Sequence, residues 1–120
     1  MDLPDVEVKL TICAIQDGVT WQTGKVDWYE GGWMTIWIDG LSPEADAGNT
    51  TVLIEDIPHQ PDIVLAEKGQ VNVRLRPLIA PGSRQVIVVH RGSRSCPATV
   101  RVVGSPPDIR GLGGLAGHRD

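Results

Sequence analysis

Between Gly69 and Gly104, three stretches dense in Val, Ile and Arg are separated by Pro81-Gly82 and by Arg91-Gly92-Ser93. Each stretch is short and rich in β-branched side chains, which suits strands joined by tight turns rather than a helix. In the first, Val71, Val73 and Leu75 alternate with Gln70, Asn72, Arg74 and Arg76. That is the period-two pattern of a strand with one face buried and one in solvent. Val86 to Val89 is apolar at every position, as expected of a central strand covered on both sides. Thr99 to Val103 closes the run with Val100 and Val102 inward and Arg101 outward.

The same pattern recurs upstream. Val6, Val8, Leu10, Ile12 and Ala14 alternate with Glu7, Lys9, Thr11 and Cys13, predicting an opening strand. Residues 16–32, broken by Asp17-Gly18 and Thr23-Gly24, read as irregular. From Trp33 to Asp39, Met34, Ile36 and Ile38 share one face while Trp33, Thr35, Trp37 and Asp39 share the other. Residues 40–49 are a loop of turn residues. Shorter strands follow at 51–54 and 62–66. About seven short strands with few helical patterns predict an all-β protein, an antiparallel sandwich spanning residues 1–104. Beyond Gly104, Ser-Pro-Pro and a glycine-rich run predict a flexible tail or linker stub over residues 105–120.

The succession of Gly32 to Leu41 (GWMTIWIDGL), Asn49 to Ile54 (NTTVLI), Gly69 to Pro77 (GQVNVRLRP) and Ala80-Pro81-Gly82 resembles bacterial immunoglobulin-like domains of the IPT/TIG type. It is similar to the Ig-like modules repeated at the C-termini of large acidobacterial proteins. The resemblance covers about residues 6–104 and implies an immunoglobulin-like sandwich. It also implies an accessory role with no shared catalytic residue, a strand ended by Gly40 and a tight turn at Pro81-Gly82.

A net charge of −4 disfavours a general nucleic-acid binder, so nucleic acid is not expected as a partner. The charge is unevenly placed: residues 1–66 carry −10 and residues 67–120 carry +6. Arg74, Arg76 and Arg101, with Arg84, Arg91 and Arg94, form a candidate basic face for an acidic partner. The alternative is that early and late strands lie side by side and neutralise each other across the ladder. No stretch has the roughly 18–20 apolar residues that span a membrane, so no membrane association is expected. The acidic opening Met-Asp-Leu-Pro-Asp has no apolar core of a secretory signal. That is the expectation for a cytoplasmic chain or a domain cut from a longer protein. Asn49-Thr50-Thr51 satisfies a glycosylation sequon.

Cys13 and Cys96 fall in strands where the first faces outward and the second inward by parity, so free thiols are expected. His59, His90 and His118 lie in no spaced ligand motif, and His90, at a strand end, is expected at the surface. A Cys13/His90 nucleophile pair has no local support. The acids Asp39, Glu44, Asp46, Glu55, Asp56 and Asp62 read as a solvated edge, without the spacing of a calcium loop. No catalytic residue, metal or cofactor is therefore expected.

The four Trp and the one Tyr all lie between Trp21 and Trp37. Trp21, Trp28, Trp33 and Trp37 are the candidate aromatic face, able to stack on sugar rings or dock a neighbouring domain. The competing expectation is that residues 16–32 fold over this face and bury Trp37. The leading functional expectation is a non-catalytic module that packs against or spaces a protein partner. A carbohydrate-binding module is the alternative, and sheet edges offer strand addition between copies as a route to a homodimer.

Overall fold

A computed structural model describes residues 9–104. The expected strand positions at Val6 and Val8, the tail from Ser105 and His118 lie outside the described residues. Ten strands form two sheets, with no α-helix among the described residues. The strands are β1 (Thr11–Asp17), β2 (Lys25–Asp27), β3 (Trp33–Asp39), β4 (Thr50–Ile54), β5 (Ile57–His59), β6 (Ile63–Leu65), β7 (Gln70–Arg74), β8 (Gly82–His90), β9 (Ser93–Arg94) and β10 (Ala98–Val103). One sheet runs β1-β3-β7-β6; the other runs β2-β10-β8-β4-β5, with β9 pairing β8. All pairings are antiparallel except β2 with β10, which is parallel.

The inner faces follow the alternation of the sequence. Met34, Ile36 and Ile38 from β3 and Val71 and Val73 from β7 meet Val52, Ile54, Val86, Val88, Val100 and Val102 from the other sheet in one core. Leu75, Ile79 and Trp28 extend that core at its margin. With no Phe in the chain, branched aliphatics interdigitate between the sheets, each contributing roughly 1.5–3 kcal/mol on burial.

Four departures from the sequence pattern have physical causes. A β-bulge between Ile12 and Ala14 shifts the β1 register, so Ile15 and Asp17 point inward while Ala14 pairs Trp37 on the outer face; an inserted residue reverses the alternation beyond it. The link between β4 and β5 is a two-residue turn with positive φ at both Glu55 and Asp56, the geometry that matches strand twist in tight hairpins. Between β7 and β8 the tight turn is at Pro77-Leu78, closed by Ile79 N–H donating to Arg76 O at 3.0 Å. Pro81-Gly82 instead leads into β8, whose first residue is Gly82. Cys96 is exposed, because β10 starts at Ala98 and strand parity does not reach back to it.

Candidate functional site

The outer face of the four-stranded sheet is a small lattice of side chains. Register places Gln16, Thr35, Asn72 and Ile63 in one row, Trp33 beside Arg74 in the next, and Ala14, Trp37 and Gln70 in the third. Thr35 is fully covered although it lies on the outer face. Its hydroxyl donates to Asn72 Oδ1 at 2.8 Å, and Gln70 Nε2 donates to the same oxygen at 3.3 Å. Asn72 Oδ1 is thereby used twice, leaving the Asn72 amide N–H groups and Gln70 Oε1 without protein partners among the described residues.

A wall rises at the end of β1. Asp17 is fully buried; its Oδ1 accepts from Val19 N–H at 2.8 Å and Thr20 N–H at 3.0 Å, and its Oδ2 accepts from Asp27 N–H at 2.9 Å. One side chain thus shapes the 18–22 loop and ties it to β2. Gly18 lies so close to the sheet that a Cβ would sit 2.9 Å from Trp33 Cβ, and its N–H donates to Trp33 O at 2.9 Å. Trp21, at the tip, has φ of 64°, a left-handed backbone that a bulky residue rarely adopts. Its N–H donates to Asp17 O at 3.0 Å, and its carbonyl accepts from Gln16 Nε2 at 3.3 Å. Both backbone polar groups of a strained residue are therefore tied down, with the residue left 53% exposed.

Between this wall and β6 lies a groove of about 390 Å³, bordered by Val19, Trp21, Trp33, Thr35, Asn72 and Ile63, with Gln70 and Asp62 also lining it. Five large hydrophobic residues stand exposed among the described residues, and three of them, Val19, Trp21 and Ile63, border this one groove. A second hollow of about 480 Å³ includes Pro58, His59, Arg74 and Arg76, and Asp62 lines both.

The four tryptophans do not form one face. Trp28 belongs to the core: it opens a single 3₁₀ turn capped by Asp27, and its indole N–H donates to Ile79 O at 3.1 Å. Trp37 is half-buried and donates to Gln16 Oε1 at 2.8 Å. Trp33 is half-buried, with the Arg74 guanidinium 5.1 Å from its ring centroid. Trp21 and Trp33 are the pair the groove brings together.

The arginines are similarly divided. Arg74 and Arg76 lie on and just beyond β7, beside the groove. Arg101 is on β10, on the outer face of the other sheet, opposite the inward Val100 and Val102. Arg84 is folded onto Ala80 O and Pro81 O, Arg91 pairs Glu44 at 3.6 Å, and Arg94 is exposed on β9.

His90 is buried rather than at the surface, with Nδ1 3.1 Å from Asn49 O and 3.4 Å from Thr50 Oγ1. Cys13 stands exposed on the edge strand of the opposite sheet, so the two do not meet. Desolvation and then the Asp39 carboxyl push the Cys13 thiol above its ordinary range, the wrong direction for a nucleophile. Both cysteines are free. Among the described residues no three His, Cys, Asp or Glu converge as metal ligands, and no helix is long and apolar enough to cross a membrane. Asn49 of the sequon donates through Nδ2 to Glu44 O at 3.0 Å.

Val19, Asp62, Ile63, Gln70 and Asn72 line the groove, and Gln16 and Asp17 hold its wall; the aromatic clustering alone singles out none of them. Their signal in the sequence is slight: Asp17-Gly18 marks a turn, and Gln70 and Asn72 share the outward parity of Arg74.

The chain matches no protein-family model and no curated protein. It is similar to a solved structure from Bacteroides vulgatus ATCC 8482 described as a "Putative bacterial DNA binding protein", at 19% identity over 80% of this chain with a TM-score of 0.49. The chain spans 48% of that structure's length. The description of that structure stands against the expectation that excluded nucleic acid as a partner. That exclusion rested on net charge, and charge summed over a chain says little about any one face.

Proposed function

We propose that this chain is a non-catalytic binding module with an immunoglobulin-like sandwich of the IPT/TIG kind, and that it holds a glycan in the groove on its four-stranded sheet. The supporting observation is the grouping of Val19, Trp21 and Ile63, exposed apolar side chains, around a polar floor of Thr35, Asn72 and Gln70. A sugar ring presents apolar C–H faces and a belt of hydroxyls. An exposed indole answers the first, while amide and carboxyl groups answer the second. A protein-docking face favours a broad apolar centre, whereas the Asn72 and Gln70 amides lie on the floor of this groove.

The test is titration of the protein with soluble polysaccharides, read by tryptophan emission, alongside Trp21→Ala. The expected result is a saturable shift that Trp21→Ala weakens. An emission unmoved by every glycan, or a shift that Trp21→Ala leaves intact, defeats the reading. A second reading, packing against a neighbouring protein domain, is favoured by the other sheet. There Leu53 and Ile87 sit opposite each other, with Val89 beside them, half-exposed on the outer face.

A further inference from the structure

Resting on the glycan reading, we infer that the groove selects an acidic polysaccharide, one whose sugar rings carry carboxylates, with Arg74 and Arg76 as the groups that recognise the acid. Placement sets the first element. Arg74 ends β7 and Arg76 lies two residues on, just beyond the strand. Both line the hollow that adjoins the Trp groove across Asp62.

Partnering sets the second. Arg74 uses Nε on Gly31 O at 3.3 Å and holds its guanidinium carbon over the Trp33 ring, 5.1 Å from the centroid. Arg76 uses Nη1 on Pro58 O at 3.4 Å, and its backbone N–H donates to His59 Nε2 at 3.1 Å. These contacts fix the guanidiniums in place without neutralising them, and neither forms an ion pair with a carboxylate among the described residues. Planar forks held this way suit bidentate recognition of a carboxylate. A chain of sugars running from Trp21 past Trp33 would bring the acid group of a following ring to Arg74 and Arg76.

Asp62, at the junction of the two hollows, argues for sugar over phosphate. Its carboxyl can accept from sugar hydroxyls, which the phosphodiester backbone of single-stranded DNA does not offer. Single-stranded nucleic acid also combines rings with anions, but it is tracked by a run of cations. Two arginines flanking an aspartate suit a polymer that brings hydroxyls along with its acids.

The experiment is isothermal titration of the protein with a hexa-galacturonate, with cellohexaose as the neutral control and a single-stranded deoxythymidine oligomer as a third ligand. The acidic hexamer should bind at least about tenfold more tightly than the neutral one, the worth of one charge-assisted contact. That margin should shrink as sodium chloride is raised. Arg74→Gln/Arg76→Gln should abolish the margin, and Arg101→Gln, on the opposite face, should leave the affinity for both hexamers unchanged. Equal affinity for both hexamers overturns the acid selectivity and leaves the glycan reading standing. No binding of either hexamer overturns both. Tighter binding of the deoxythymidine oligomer, lost in Arg74→Gln/Arg76→Gln, overturns the inference in favour of nucleic acid.

Discussion

Replacing Asp17 with alanine removes the acceptor of three backbone N–H groups, those of Val19, Thr20 and Asp27. The three do not lose equally. Val19 and Thr20 lie in an exposed loop, so water replaces the lost oxygen there and each change costs only about 0.5–1 kcal/mol. Asp27 N–H sits where β2 meets the end of β1, against a carboxyl of zero exposure, and stranding it costs about 1–3 kcal/mol. Removing a buried carboxyl returns part of this, because its own desolvation disappears. The net expectation is a loss of about 2–4 kcal/mol, or on the order of 10–20 °C in Tm for a domain of this size. Asp17→Asn keeps one oxygen but turns an amide donor toward a backbone donor, so it should recover only part of the loss. Urea unfolding followed by far-UV circular dichroism gives the stability, and iodide quenching reports Trp21. In the Asp17→Ala protein, quenching at Trp21 should change as the loop loses its template. A loss below about 0.5 kcal/mol, the size of an ordinary surface change, would refute the assignment of Asp17 as the clamp.

Trp28 and His59 provide two further tests. Trp28→Phe keeps an aromatic ring in the core but strands Ile79 O. It should cost about 1–3 kcal/mol in urea unfolding, and stability equal to the parent would contradict a structural indole bond. Burial, with the nearby Arg76 as a lesser cause, pushes the His59 imidazole below its ordinary range. Its Nδ1 lies 2.8 Å from Ile57 O and its Nε2 accepts from Arg76 N–H, a pattern only the neutral ring completes. The unfolded chain takes up that proton first, so this contribution is present above about pH 6.5 and is lost as pH falls, by at most about 1.4 kcal/mol per unit. The urea midpoint should therefore drop between pH 7.5 and 5.5, with His59 titrating low by NMR. A midpoint flat across that window would contradict the prediction.

How far the sequence discloses the fold depends on whether one strand's pattern suffices. On β3 and β7 alternation alone identifies every inward side chain, because the two pair with each other without irregularity and the bulge of the β1–β3 pair falls in β1. β1 defeats the same logic at Cys13, since a bulge is a property of the pair and not of the single strand. The Glu55-Asp56 hairpin is obscure because neither residue is glycine or asparagine, yet both adopt positive φ. The parallel pairing of β2 with β10 joins segments about 75 residues apart, beyond any local pattern. Tryptophans crowded into one stretch of sequence end in distinct settings, since a turn at Trp28 sends its ring into the core while β3 directs Trp33 and Trp37 outward.

The groove is the place where local preference loses to arrangement. A bulky residue in the left-handed region costs about 1–2 kcal/mol, and glycine would relieve it. Here a tryptophan occupies that conformation, fixed at its N–H by Asp17 and at its carbonyl by Gln16, while Gln16 Oε1 also holds the indole of Trp37. Such a conflict between residue type and backbone persists where the surroundings over-determine it, and it gathers at sites of function. If the loop served only to connect β1 with β2, neither a strained backbone nor a half-exposed indole would be needed. Their coincidence at one residue, beside the second indole of Trp33 and over an amide floor, is the observation on which the proposed stacking surface rests.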